Sequence, residues 1–258
     1  MIGAITGDIV GSVYEFDNHR DKHFPLFRPD AFFTDDTVLS VALAETLMHG
    51  GDYGEAMRRW YRRYPNAGYG GMFRQWAQTD NAGPYYSWGN GAAMRVSPVG
   101  FAFNDLDTVL DKAQASAEPT HNHPEGIKGA QATAAAILWA RQGQDKATIR
   151  RECATRFGYD LAPSLADIGV DYDFDVSCQG TVPPALTAFF EADGFEDAIR
   201  NAIALGGDSD TLACITGGIA EAFYGVPQAI EAEAFKRLDS QLAEVVTEFR
   251  QHFMTPTD

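Results

Sequence analysis

Two short acidic segments each stand directly before an apolar run with helical spacing, and together they constrain the fold more than any other feature. The segment Asp208-Ser209-Asp210-Thr211 follows a glycine pair and precedes the apolar run 212–224. The segment Thr34-Asp35-Asp36 precedes a second run at 38–47. Threonine caps helices, and acids in a first turn interact favourably with the helix dipole. Both segments therefore predict helix starts, although clustered carboxylates are costly there unless a cation binds them.

Apolar residues recur at helical spacing along most of the chain, and few segments show the alternation of a strand. Predicted helices cover residues 2–14, 54–64, 105–116, 127–141, 145–157, 195–205, 209–224 and 228–252. Another helix start is predicted at Thr181-Val182-Pro183-Pro184, because proline suits a first turn. Segments 65–91 and 159–180 are predicted to be irregular. Because the chain has no repeat, low-complexity tract or linker, we predict one all-α domain over residues 1–258.

Three glycines recur at every fourth residue of the first predicted helix, at Gly3, Gly7 and Gly11. This spacing permits the close approach either of a second helix or of a ligand. Asp8 lies inside the same apolar helix, where it has either a structural or a functional role. The sequence does not decide between these roles.

Composition excludes several classes of protein. The net charge of −16 argues against a broad contact with phosphate backbones, so we expect no nucleic-acid partner. No apolar run approaches the ~20 residues that a membrane span needs. The three cysteines Cys153, Cys178 and Cys214 are scattered and suit reduced thiols, and no signal peptide is evident. We therefore expect a cytoplasmic protein, and we expect it to be a monomer.

The two acidic segments together supply four carboxylates and two threonine hydroxyls, all of them hard oxygen donors. Such donors suit Mg²⁺ or Mn²⁺ and not zinc. Two ions roughly 3.5–4 Å apart would balance this charge better than one, provided that the segments meet in the fold. His121 and His123 offer a weaker zinc hypothesis, since no third ligand is near them. A hydrogen bond from one of these histidines to a ligand is the preferred interpretation.

A set of short motifs in a fixed order resembles the ADP-ribosylglycohydrolase family over nearly the whole chain. The motifs are Gly7-Asp8-x-x-Gly11-Ser12-x-x-Glu15, Thr34-Asp35-Asp36-Thr37, Gly89-Asn90-Gly91-Ala92-Ala93-Met94-Arg95, Thr120-His121, Thr181-Val182-Pro183 and Gly206-Gly207-Asp208-Ser209-Asp210-Thr211. Each is weak alone, and their order makes the resemblance specific. It implies a compact all-α fold, an orthogonal bundle of many helices, with a binuclear Mg²⁺ or Mn²⁺ centre.

The resemblance also implies roles for individual residues. The implied metal ligands are Thr34, Asp35, Asp36, Asp208, Asp210 and Thr211. Glu15 matches a glutamate on a loop near the metals, and either Glu15 or Asp35 is expected to accept the proton of the attacking water. The implied binding loop for ADP-ribose comprises Ser87, Trp88, Gly89 and Asn90. Trp88 stands where the family often has tyrosine and would stack on a base, and His121 matches a histidine near the diphosphate or distal ribose.

The implied activity is hydrolysis of the bond that joins ADP-ribose to an acceptor, so the expected partner is an ADP-ribosylated protein or conjugate. Acceptor linkage to arginine is favoured, because Asp17, Asp21 and Asp30 give the loop after the first helix an acidic character. Hydrolysis of serine-linked ADP-ribose or of O-acetyl-ADP-ribose remains open. A non-catalytic structural member of the family and a Mg²⁺-dependent hydrolase of phosphoanhydrides are the rival functions.

Overall fold

The computed structural model describes residues 1–254, which form fifteen α-helices and no strand. The helices are α1 (Ile2–Gly11), α2 (Asp35–His49), α3 (Tyr53–Arg63), α4 (Gly71–Gln78), α5 (Gly91–Met94), α6 (Ser97–Ala102), α7 (Leu106–Ala117), α8 (Pro124–Arg141), α9 (Lys146–Phe157), α10 (Leu165–Asp171), α11 (Cys178–Phe190), α12 (Phe195–Ala204), α13 (Ser209–Tyr224), α14 (Gln228–Phe235) and α15 (Ser240–Phe253). The all-α prediction is therefore confirmed. Within the described residues, no helix has both the length and the apolarity of a membrane span.

Helices α1 and α13 pack backbone against backbone in the centre of the core. A methyl group on Gly7 would lie 1.9 Å from the carbonyl oxygen of Ala213, and one on Gly11 would lie 2.4 Å from the Cα of Asp210. Gly3 faces α13 in the same way. The glycine repeat therefore serves helix packing, and it brings the end of α1 against the acidic start of α13.

Both acidic segments begin helices, as predicted. Thr34 caps α2 by accepting a hydrogen bond from the backbone N–H of Asp36. Asp208 stands at the N-cap position of α13, but its side chain makes no capping hydrogen bond. Instead, the carboxylate of Asp210 accepts from the N–H of Thr211 at 2.9 Å. The Asp208 carboxylate is therefore directed to other partners.

Helix α11 begins three residues earlier than predicted. Ser177 caps it, so both prolines lie inside the helix and not in its first turn. Pro184 has no N–H to give the carbonyl of Gly180, which a continuous helix would pair with it. The hydroxyl of Tyr172 donates to that carbonyl at 3.2 Å and replaces the missing bond. A side chain from the preceding segment thus offsets part of the cost of placing proline inside this helix.

Four further features differ from the prediction. Helices α4 and α10 lie in segments that were predicted to be irregular. Helix α10 starts at a capping box of Ser164 and Asp167, a short local signal inside a polar, acidic segment. The predicted helix 228–252 is two helices, because the Asp239 side chain accepts from the N–H groups of Gln241 and Leu242 and starts α15 anew. The first helix ends at residue 11, three residues before its predicted end.

Candidate active site

A cavity of about 330 Å³ opens where the loop after α1 meets the starts of α2, α5 and α13. Every residue of the predicted site except Trp88 lines it: Glu15, Thr34, Asp35, Asp36, Ser87, Gly89, Asn90, His121, Asp208, Asp210 and Thr211. Such a volume is within the range of small-molecule sites. Residues that lie far apart in the chain thus share one cavity.

The two acidic segments meet at the floor of this cavity. The Thr211 hydroxyl lies 3.4 Å from a carboxylate oxygen of Asp36, and the Thr34 hydroxyl lies equally far from the same oxygen. Oxygens of Asp36 and Asp210 also lie within 4.8 Å of each other, together with one of Asp8. A second group of oxygens at this spacing comes from Glu15, Asp208 and Asp210. Asp210 therefore belongs to two adjacent acidic clusters.

The donors of these clusters fit a hard divalent cation. One oxygen of Asp36 is fully buried and has no hydrogen-bond partner among the described residues. Leaving a buried carboxylate oxygen unpaired is costly, so this atom indicates a missing positive partner. The clusters and the two threonines beside them supply carboxylate and hydroxyl oxygens, which is the donor set of Mg²⁺ or Mn²⁺.

Burial and mutual repulsion weaken the acidity of these carboxyl groups. Burial raises the pKa of Asp36 and Asp35 well above the ordinary value, and the negative charge of Asp8 adds to the effect. Burial and then the charge of Asp208 do the same to the pKa of Asp210. The pKa of Glu15, which is only half-buried, is raised to about 7 by burial and by Asp208. The cluster thus binds protons tightly in the absence of cations.

Asp8 is the structural partner that the sequence analysis left unassigned. It is fully buried and accepts from the N–H and hydroxyl of Thr34 at 2.9 and 2.6 Å. It also accepts from the N–H of Thr37 at 3.1 Å and from the hydroxyl of that residue. Burial raises the pKa of Asp8 to about 6 in spite of these four bonds. Asp8 therefore ties α1 to the start of α2 and orients the Thr34 oxygen.

Asn90, predicted to bind substrate, makes direct contact with the acidic floor. Its side-chain amide donates to Asp208 at 2.7 Å and to the hydroxyl of Thr181 at 3.1 Å. Its backbone N–H donates to the carbonyl of Val176 at 2.7 Å. The side-chain nitrogen and the backbone N–H of Asn90 are thus committed to protein partners, and the bond to Asp208 orients that carboxylate.

The loop that contains Ser87 and Gly89 is held against the residues that precede α11. Gly89 pairs with Ser177 in an antiparallel bridge, and the N–H of Cys178 donates to the carbonyl of Trp88 at 2.9 Å. The Trp88 ring is 52% exposed and lies edge-on to His123 at 5.6 Å, outside the cavity lining. A stacking role for Trp88 would therefore require a ligand that extends beyond the mouth of the cavity.

A chain of hydrogen bonds leads from a buried arginine to His121. Arg95 donates to the Thr120 hydroxyl at 2.8 Å, and that hydroxyl lies 2.7 Å from Nδ1 of His121. Because the hydroxyl accepts from Arg95, its own proton is available to Nδ1, which favours the His121 tautomer with the proton on Nε2. Burial, and then the charge of Arg95, lowers the pKa of His121 well below its ordinary value. His121 thus offers the cavity a neutral hydrogen-bond donor.

The zinc hypothesis gains no support from this geometry. Nδ1 of His123 accepts from the N–H of Glu125 at 3.1 Å and caps α8. Within residues 1–254, the groups of side chains with metal-ligand spacing contain only carboxylates. The described side chains therefore provide no group of three ligands that includes His121 or His123.

Comparison with known proteins shows which family this chain resembles. The sequence model of the family described as ADP-ribosylglycohydrolase matches residues 1–256. The human protein ADP-ribosylhydrolase ARH3 is 25% identical, with 90% of this chain and 86% of that protein aligned. ADP-ribosylarginine hydrolase Tri1 of Pseudomonas putida (strain GB-1) is 27% identical, with 95% of this chain and 76% of that protein aligned.

A solved structure has the same fold. It is described as an ADP-ribosylglycohydrolase-related protein complex, and it superposes with a TM-score of 0.72 at 26% identity. The match covers 98% of this chain and 97% of that one. With the family match over nearly its full length, the chain belongs to the ADP-ribosylglycohydrolase family.

Proposed function

We propose that this protein hydrolyses the bond between ADP-ribose and an acceptor, with ADP-ribosylated arginine on protein as its preferred substrate. The observation that carries the proposal is the meeting of the Asp36 and Asp210 carboxylates at the floor of a cavity that Glu15 also lines. Membership of the family supports the reaction type. The relative Tri1, whose name specifies ADP-ribosylarginine, supports the linkage.

The acidic floor is proposed to hold two Mg²⁺ or Mn²⁺ ions. The proposed ligands are Thr34, Asp35, Asp36, Asp208, Asp210 and Thr211. When bound, the ions would supply positive charge that orients the hydroxyls of the distal ribose and makes water more acidic. Asp8 and Asn90 hold two of the ligands, Thr34 and Asp208, in position through the hydrogen bonds described above.

The residues around the floor are proposed to bind the substrate and move the proton. Glu15 and Asp35 both line the cavity, and one of them accepts the proton of the attacking water. His121 presents its Nε2–H to an oxygen of the diphosphate or ribose. Gly91 lets the chain pass close to this nitrogen, since a methyl group there would lie 3.0 Å from it. The carboxylates stabilise the positive charge that develops on the ribose as the bond breaks.

The test compares three substrates: an ADP-ribosyl-arginine peptide, an ADP-ribosyl-serine peptide and O-acetyl-ADP-ribose. The proposal expects the highest kcat/KM for the arginine linkage. Glu15→Gln and Asp35→Asn are measured alongside, with metal content determined for each, and loss of the general base is expected to lower kcat by about 10²–10⁴-fold. Unchanged turnover in both variants would contradict the mechanism, and a preference for serine or O-acetyl substrates would contradict the linkage.

A further inference from the structure

The side chain of Asn18 joins the loop that carries Glu15 to the turn before Asp208, and Arg20 of the same loop donates to the carbonyl of Leu205 at 3.0 Å. Oδ1 of Asn18 accepts from the N–H of Gly207 at 2.7 Å, and its Nδ2 lies 3.0 Å from the carbonyl of the same residue. Nδ2 also lies 2.7 Å from the carbonyl of Tyr14 and 3.0 Å from that of Glu15. If the amide oxygen and nitrogen changed places, the nitrogen would face the N–H of Gly207 and the oxygen would face carbonyl oxygens. These partners therefore fix the orientation of the amide.

The Gly206-Gly207 turn is shaped to receive this loop. Both glycines have positive φ, 75° and 71°, which other residues adopt only with strain. A methyl group on Gly206 would lie 3.1 Å from Oδ1 of Asn18 and 3.1 Å from the guanidinium carbon of Arg20. The turn therefore combines a special backbone conformation with the absence of a side chain, and both allow the loop to dock.

The carboxylate of Glu15 has no hydrogen-bond partner of its own among the described residues, although it lies beside Asp208 and Asp210. Repulsion among these like charges pushes Glu15 outward, so its place depends on the backbone of its loop. Asn18 binds the Glu15 carbonyl and both backbone polar groups of Gly207, the residue before Asp208. This amide thus connects the backbones of the two sides of the cluster directly, next to Glu15 on one side and Asp208 on the other.

We propose that Asn18 is a positioning residue that holds Glu15 against Asp208 and Asp210 and thereby sets the affinity of this cluster for a divalent cation. The inference rests on the proposed function, because it assumes that the acidic floor binds cations. It assigns Asn18 no contact with substrate. The side chain lies at the surface, so its replacement leaves the core intact.

The test measures two properties of Asn18→Ala. In metal-free protein, hydrogen exchange of residues 13–24 is expected to accelerate, because the loop loses its tie to Gly207. In calorimetric titration with Mg²⁺ or Mn²⁺, one binding event is expected to weaken about 10- to 100-fold, the usual cost of removing a group that orients a ligand. Asn104→Ala, an exposed asparagine that accepts one bond from Arg141, is the matched control and is expected to change neither property.

A double-substitution cycle separates positioning from general destabilisation. If Asn18 acts through Glu15, Asn18→Ala adds little to the loss of metal affinity in a Glu15→Gln background. Fully additive losses, or unchanged exchange and titration in Asn18→Ala, would overturn the proposal. Failure of the wild-type protein to bind either metal would instead contradict the proposed function, and the exchange measurement would still decide whether Asn18 holds the loop.

Discussion

The amide of Asn90 donates to the carboxylate of Asp208 across 2.7 Å, although 118 positions separate the two residues in the chain. This bond orients a carboxylate that also lies within the acidic cluster of Glu15 and Asp210. A residue on the predicted substrate loop thus also supports a predicted metal ligand. The bond therefore joins the proposed substrate loop to the proposed cation site.

Asn90→Ala should therefore weaken the binding of Mg²⁺ or Mn²⁺, because Asp208 loses the donor that orients it. A loss of about 10- to 100-fold in affinity is expected by calorimetric titration. Asn201→Ala is the matched control, since Asn201 is also buried but donates to the carbonyl of Ala188 outside the cavity. Equal metal affinity in the two variants would show that Asn90 does not support the site.

Asp8→Ala should destabilise the protein, because four donors of Thr34 and Thr37 lose their buried acceptor. Each unsatisfied buried group costs about 1–3 kcal/mol, and urea unfolding measures the total. Asp8→Asn keeps one carbonyl oxygen and should retain most of the free energy of unfolding. A loss in Asp8→Asn as large as in Asp8→Ala would mean that the negative charge, and not the hydrogen bonds, is what the fold requires.

Gly7→Ala should disrupt the packing of α1 on α13. The added methyl group would lie 1.9 Å from a backbone oxygen of Ala213, and no flexible side chain can move to relieve the clash. The free energy of unfolding should fall by about 3 kcal/mol or more, the upper range for overpacked cores. Gly194→Ala is the control, because nothing lies within 4 Å of a methyl group there. Comparable thermal stability of the two variants would contradict the packing account.

The pH dependence of stability should reveal that burial and nearby negative charges disfavour the ionised form of Glu15. Its pKa in the folded protein is about 7, above the ordinary 4.5, so the folded state binds the proton more tightly than the unfolded state. Ionisation of Glu15 therefore lowers the free energy of unfolding. This loss is absent below pH 4.5 and grows until pH 7. Metal-free Glu15→Gln should therefore melt at a higher temperature than the wild-type protein at pH 8 and at a similar temperature near pH 4.5. A constant difference across this range, or none, would contradict the repulsion within the cluster.

The helix starts that were predicted from the sequence depend on neighbouring residues, and one that was missed depends also on a residue outside the helix. The starts of α2 and α13 were predicted because a threonine cap, acids in the first turn and apolar periodicity are local signals at Thr34 and around Asp208. The early start of α11 was not, because the prolines indicated a first turn at residues 181–184, whereas Ser177 caps the helix earlier and Tyr172 replaces the bond that Pro184 cannot make. No rule confined to neighbouring residues contains that partner.

The site shows the same limit. The residue types of the two acidic segments predicted an oxygen-rich site, and the family motifs placed Glu15 and His121 near it. The partners that orient them were missed: Asp8 looked like one acid in an apolar helix, and Asn18 like part of a polar loop. Their roles arise from contacts across 26 and 189 positions of the chain, which only the fold brings together.

The most direct test of the account is mass spectrometry of the products formed from an ADP-ribosyl-arginine peptide, with and without Mg²⁺. The wild-type protein should release intact ADP-ribose only when Mg²⁺ or Mn²⁺ is present. Asp210→Asn should release almost none, because Asp210 belongs to both acidic clusters. Release of AMP would indicate cleavage of the phosphoanhydride instead, and equal release of ADP-ribose without metal or by Asp210→Asn would contradict the central role of the acidic floor.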